Sequence, residues 1–340
     1  VELTKNPKDH QWNLLKNILH RNKDTHFGRK HKFASIHSYK DFLNAIPINE
    51  YEDLRSYINQ QEQTGEPYLN SQQPVMYAQT SGTTGEPKNI PILNATIEIY
   101  KCSQSLFSYT QYSFDTEVYN GNILAIISPD IEGTLSTGTP YGAISGLIYK
   151  SMPALLRRGY LLPFEIFSVT DYDIKYYLIC AFALKSENIT LIATPNPSTI
   201  LRLKDIIDIN FENLLRDIET GNLSCINKID AEKRKNINCK FKPNQLRALQ
   251  LRELKKKKGS LIISDIWPNL KLISTWTSGN CSTLLPALKA QLSSKSFIGE
   301  VGYMSSEFRG TVNLDIRNEI QVPTLNENFF EFVERDEWGS

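Results

Sequence analysis

Short apolar runs that alternate with helical patterns set the first limit on what this chain can fold into. "NILAIIS" (Asn122 to Ser128) is compact and rich in β-branched residues, and it reads as a buried strand. "NITLIATPNPSTILRLKDII" reads as a strand, a turn and a helix capped near Ser198. "LKLISTWTSGN" and "SKSFIGEVGYMSSE" each read as a strand running into a glycine-containing loop, with a helical "TLLPALKAQL" between them. Units of this kind predict an α/β fold with mainly parallel sheets flanked by helices. Ligands in such folds bind in the loops at the strand carboxyl ends.

The first part of the chain extends the pattern. "HQWNLLKNILHRNKDTHFG" places Trp12, Leu15, Ile18 and Leu19 on one helical face, with Gly28 as the expected stop. "IPINEYEDLRSYINQ" reads as a turn and a helix. "PVMYAQTSGTTGEPKNIPI" reads as a short strand, a polar loop and a second short strand, and a helical pattern returns from Ala95 to Tyr112. Farther on, Leu246, Leu249 and Leu254 recur at helical spacing. That spacing sets the lysine run from Lys255 to Lys258 at a helix C-terminus, where cations complement the helix dipole.

Charge and residue usage remove several function classes. Among 340 residues, 38 basic and 37 acidic side chains leave a formal net charge of +1. Nucleic-acid and membrane-surface proteins draw affinity from a basic excess, and none is present here. "YYLICAFAL" (Tyr176 to Leu184) is about half the length that spans a bilayer. The five cysteines (Cys102, Cys180, Cys225, Cys239, Cys281) form no C-x-x-C pair, and no signal segment opens the chain, so reduced thiols in a cytoplasmic protein are expected. All five histidines, His10, His20, His26, His31 and His37, precede the glycine-rich segment. None shares a compact spacing with other metal ligands, and none follows the loop as a Ser-His-Asp hydrolase would require.

The segment from Gln79 to Lys88 points elsewhere. Thr80, Ser81, Gly82, Thr83, Thr84 and Gly85 bring hydroxyls and unencumbered backbone amides, and Lys88 brings a mobile positive charge. Together these are phosphate-binding groups. The P-loop pattern fails, because Asn89 stands where magnesium needs a Ser or Thr and a strand follows where a helix should. A polar hairpin connection with no ligand is the alternative.

"TSGTTGEPK" resembles the signature loop of the adenylate-forming superfamily. With "IPINEYEDLRSYI", "WPNLKLISTWTSGN", "GYMSSEFRGTVNLD", "PNPSTILRLKDIIDINFENLLRDIETGNLS" and "VPTLNENFFEF" in this order, the chain resembles the acyl acid amido synthetases from about residue 10 to residue 333. These are enzymes of the plant auxin- and jasmonate-conjugating type, with bacterial relatives. The resemblance implies ATP and magnesium as cofactors, and a small carboxylic acid and an amino acid as partners, joined through acyl-AMP. It implies a large N-terminal adenylation domain of which residues 1–340 make up most, incomplete at the C-terminus, with the rest of that domain and a C-terminal lid beyond them. A chain without that lid is expected to bind ATP weakly and to form no amide.

The site residues follow from the same resemblance. The loop Thr80 to Gly85 and Lys88 would hold the ATP β- and γ-phosphates. Gly279, in "TSGN", would pass close to adenosine and the acyl group, although family members usually have a small residue where Asn280 stands. In "GYMSSE", Gly302 to Glu307, Tyr303 would stack on adenine beside Met304. Ser305 and Ser306 would hold the adenylate phosphate, and Glu307 would bind magnesium. Thr139 and Tyr141, in "STGTPYGAISG", would contact the acyl acid. Two other readings stay open: a ligase that passes the acyl group to a thiol, and a binding module without catalysis.

Overall fold

In the computed structural model, residues 5–80, 86–152 and 154–337 are described. The strands in chain order are β1 (Met76–Thr80), β2 (Lys88–Ile92), β3 (Asn122–Ala125), β4 (Gly133–Thr134), β5 (Pro140–Gly142), β6 (Ile189–Ala193), β7 (Leu272–Thr275), β8 (Phe297–Glu300), β9 (Thr311–Asp315) and β10 (Ile320–Pro323). A central sheet runs β3-β6-β7-β8, and every pair in it is parallel. Successive strand residues face opposite sides, and both sides of this sheet are apolar. Leu124, Ile192 and Ile273 join one core with the helices Tyr172–Lys185, Pro197–Ile209, Phe211–Thr220 and Gln245–Lys258. Ile123, Leu191 and Leu272 join the other, with Val118 and Ile316.

The "YYLICAFAL" run lies within the helix Tyr172–Lys185, which buries every residue from Leu178 to Leu184. It is a core helix. No described helix is long and apolar enough to cross a membrane. All five cysteines are free.

The central sheet is wholly parallel, as expected, and the second sheet is mixed. There the order is β2-β1-β5-β4, with β1 antiparallel to β2, parallel to β5, and β5 antiparallel to β4. The cause is the short link between β1 and β2, since parallel neighbours need a long crossover. The strands β9 and β10 form a separate antiparallel pair.

Helix boundaries also depart from the pattern in places. The first helix ends at Asn22, not at Gly28. Gly28 sits inside a second short helix, His26–Lys30, whose cap Thr25 accepts a hydrogen bond from the Gly28 N–H at 2.9 Å. A Cβ there would lie 2.1 Å from the Asn22 carbonyl oxygen, so close backbone approach is the reason for glycine. Ile18 is 40% exposed, while Leu15 and Leu19 are buried. In Gln245–Lys258 the lysines fill the last turn as expected, but Leu246 and Leu249 face solvent and the buried face is Arg247, Ala248 and Leu251. The Arg247 side chain is held by the Leu184 and Ile266 carbonyls at 3.0 and 2.6 Å. "TLLPALKAQL" begins as a 3₁₀ stretch, Gly279–Leu284, before the short helix Leu285–Lys289. The cap of Pro197–Ile209 is Asn196, whose side chain accepts from the Ser198 N–H.

Replacing Gly28 with alanine should lower stability by about 1–3 kcal/mol, the usual cost of overpacking a tight site. Urea denaturation of the two proteins measures it, and equal midpoints would show that the backbone there moves freely aside.

Candidate nucleotide site

Because β6, β7 and β8 are parallel, their carboxyl ends share one edge, and hydrogen bonds hold together the loops that leave it. The Thr275 hydroxyl and the Trp276 N–H both donate to the Pro195 carbonyl, at 2.9 and 2.8 Å. Trp276 Nε1 donates to the Gly302 carbonyl at 3.1 Å. Gly279 then turns the chain with φ +58°, and open space lies where its Cβ would be.

Glu300, the last residue of β8, is only 2% exposed. Its Oε2 accepts from the Thr277 N–H (2.7 Å) and hydroxyl (2.8 Å), and its Oε1 accepts from the Gly302 N–H (3.0 Å). A carboxylate is tolerated in a buried place when donors saturate its oxygens. Gly302 has φ +96°, and a Cβ on it would stand 2.6 Å from the Thr311 carbonyl oxygen.

After Gly302 the chain folds back on itself. Met304 bridges Arg309, and the Ser305 N–H donates to the Phe308 carbonyl at 2.9 Å. The Tyr303 N–H donates to the Thr311 hydroxyl at 2.8 Å, and the Gly310 N–H donates to the Tyr303 carbonyl at 2.8 Å. The Tyr303 ring is 63% exposed. It packs close over Gly310, where a Cβ would stand 2.5 Å from Tyr303 Cδ1, and meets Phe308 edge-on at 5.7 Å. The ring therefore rests on a support while much of its surface meets solvent. Ser305 and Ser306 are partly exposed, and Glu307 is exposed with its N–H donating to Ser305 Oγ at 3.3 Å.

The helix Asn94–Phe114 supports this turn from below. The Tyr100 hydroxyl donates to the Ser305 carbonyl at 2.9 Å. Burial pushes that hydroxyl's pKa well above the usual phenol range; Glu307 adds to the shift and Arg309 opposes it. The Arg309 guanidinium, itself buried, donates to the Val301 carbonyl at 3.0 Å and to Gln104 Oε1 at 3.3 Å, and lies over the Phe107 ring. Burial pulls its pKa down to about 10 against the pull of Glu327 and Tyr100, so the cation persists at neutral pH.

The glycine-rich segment leaves the carboxyl end of β1. Thr80 pairs with Lys88 and Gln79 with Asn89, the last two also through their side chains at 3.2 Å. Ser81, Gly82, Thr83, Thr84 and Gly85 lie outside the described residues. Tyr51 clamps the hairpin base: its hydroxyl accepts from the Asn89 N–H at 2.7 Å, and Lys88 Nζ and the Arg55 guanidinium both lie over its ring. Among the described residues, no hydrogen bond or ion pair joins Lys88 to Tyr303–Glu307. The link is the helix Asn94–Phe114, which begins just after β2 and carries Tyr100 to Ser305.

Tyr141 lies in β5 of the second sheet, and Thr139 immediately precedes that strand. Tyr141 pairs with Tyr77, so Thr139 is level with the start of β1, at the end opposite the glycine-rich segment. The Tyr141 ring covers Gly133.

Sequence reasoning missed Glu300, Trp276, Tyr100, Arg309 and Tyr51. Glu300 alone carried a signal, as a single acid closing an otherwise apolar strand.

Similarity to known proteins now bears on this arrangement. The GH3 family N-terminal domain matches residues 1–297. This chain belongs to the GH3 family. Among GH3 relatives, the indole-3-acetic acid-amido synthetase GH3.5 of Arabidopsis thaliana is 26% identical over 322 residues, 92% of this chain and 52% of that protein. The indole-3-acetic acid-amido synthetase GH3.2 of the same plant is 27% identical over 299 residues, 85% of this chain and 54% of that protein. The solved GH3.15 acyl acid amido synthetase shares the fold with a TM-score of 0.84 at 23% identity, covering 98% of this chain and 60% of that one. A 2-hydroxyisobutyryl-CoA ligase shares it more distantly, with a TM-score of 0.52 at 12% identity over 98% of this chain and 62% of that one. The fold is thus that of the GH3.15 acyl acid amido synthetase. The chain spans about half the length of the curated relatives it matches.

Proposed function

We propose that residues 1–340 form most of the N-terminal adenylation domain of an ATP-dependent acyl acid amido synthetase. In the first step a carboxylate oxygen attacks the α-phosphorus of ATP, giving acyl-AMP and pyrophosphate. In the second, an amino acid's amine attacks the acyl carbonyl, giving the amide and AMP. The observation that carries this reading is the supported, exposed Tyr303 at the strand carboxyl edge, on the loop that Glu300 ties to Thr277.

Each side chain has a task in that scheme. Tyr303 stacks on adenine, with Met304 beside it; Gly279 lets the backbone approach the nucleotide closely, and Gly302, left-handed against Thr311, sets the course of the chain into Tyr303. The hydroxyls of Thr80, Ser81, Thr83 and Thr84, the amides of Gly82 and Gly85, and the Lys88 ammonium orient the leaving pyrophosphate. Ser305 and Ser306 hold the α-phosphate. Magnesium usually takes one or two carboxylates plus substrate phosphates, and Glu307, exposed and with its N–H on Ser305 Oγ, offers one carboxylate for that habit. Among the described residues, no cluster of three or more His, Cys, Asp or Glu side chains would hold a metal alone. When bound, magnesium offsets phosphate charge. No protein nucleophile is needed. Thr139 and Tyr141 stand as acyl contacts on the resemblance alone. The setting we propose is cytoplasmic, with small-molecule partners and no nucleic acid or membrane.

ATP–pyrophosphate exchange by the full-length protein across aryl and alkyl carboxylic acids tests the reading; exchange that no acid stimulates would overturn it. Tyr303→Ala should weaken ATP binding by roughly 1–3 kcal/mol, the range for a base on an aromatic ring, while Tyr303→Phe stays near wild type. Calorimetry decides this, and equal losses in both variants would reject stacking. Glu307→Gln should slow exchange on the order of a hundredfold, the scale of one lost preorganised electrostatic partner. Near-normal rates at limiting magnesium would remove Glu307 from the site.

A further inference from the structure

We propose that Glu300 is a positioning residue that ties the two nucleotide-facing loops into one rigid unit. The inference rests on reading this edge as the nucleotide site. Glu300 does not itself reach the exposed surface, since it is 2% exposed at the end of β8. Its two oxygens are divided between the loops. One takes both Thr277 donors and the other takes the Gly302 N–H. Thr277 and Glu300 are 23 residues apart in the chain, so this is a tertiary tie and not a local turn.

The surroundings leave the tie little slack. The Asn313 side chain holds the Glu300 carbonyl at 3.1 Å, and Trp276 Nε1 holds the Gly302 carbonyl. Gly302 is in a left-handed conformation against Thr311. Among the described residues, no Lys, Arg or His forms an ion pair with Glu300, so the carboxylate is stabilised by these three donors. Loss of one donor–acceptor match therefore frees a loop, because a buried polar group without a partner is costly. Tyr303 follows Gly302 directly, and Gly279 follows Thr277 by two residues. A loose Gly302 displaces the Tyr303 ring from Gly310, and a loose Thr277 displaces the turn at Gly279. Binding sites of this kind depend on an inner layer that fixes the contacting groups.

Glu300→Gln tests the idea, because it keeps the shape but replaces one accepting oxygen with an NH₂ group that cannot accept. In the full-length protein, the Kd for ATP by calorimetry should rise about tenfold. The exchange rate at saturating ATP should fall much less, so the change appears in KM more than in kcat. Hydrogen exchange at the Thr277 and Gly302 amides should speed up, while the amides of β3 and β6 keep their protection. Should Glu300→Gln not fold, Thr277→Val removes a single donor and should raise the Kd by about threefold. An ATP Kd within twofold of wild type in the soluble variant, or unchanged exchange at both amides, would overturn the proposal. Failure of the unmodified protein to bind ATP would instead overturn the nucleotide reading, and with it the positioning role.

Discussion

The parallel pairing of β7 with β8 is the constraint on which the site depends. Its register runs from Leu272 opposite Phe297 to Thr275 opposite Glu300, so the two strands end level with each other. The chains that leave them, Trp276–Thr277 and Val301–Gly302, emerge side by side. A slip of one residue would turn the Glu300 side chain to the opposite face and separate it from Thr277. Apolar burial on both faces resists that slip, because Leu272 and Ile273 each lock into a different core.

Polar groups placed inside this apolar frame do the positioning. Glu300 and Arg309 are each 2% exposed, and each is supplied with partners. The helix Asn94–Phe114 serves three of these points along its length. Tyr100 holds Ser305, Gln104 accepts from Arg309, and Gln111 donates to Ser274 of β7. Since the same helix follows β2 directly, it couples the glycine-rich hairpin to the edge that carries Tyr303. In a low-dielectric interior such bonds are strong when satisfied and costly when broken. That cost is what fixes the geometry.

Much of the fold was legible because the strands are β-branched runs and the loops carry glycine and hydroxyls. The strands at Asn122, Ile189, Leu272 and Phe297 and the hairpin at Met76–Ile92 all stand where the patterns put them. What pattern could not reach was tertiary. Gly28 looked like a stop because glycine ends helices, yet it is there for its approach to Asn22. Leu246 and Leu249 had the right spacing but the wrong face, since Arg247 takes the buried position with two backbone carbonyls. The partners of Arg309 come from distant segments, which no local period reveals. In the site, the aromatic and hydroxyl groups of "YMSSE" could be read locally, whereas the buried acid beneath them needs the strand register to be seen.

Photoaffinity labelling with 2-azido-ATP, followed by peptide mapping, tests most directly whether the loops after β7 and β8 form one adenine-nucleotide site. The account expects labelled peptides from residues 276–284 and 300–311, suppressed by excess ATP. Specific label confined elsewhere would contradict it, for instance in the basic cleft of Lys150, Arg157, Lys185 and Lys240 near Asn122, at the amino end of the central sheet.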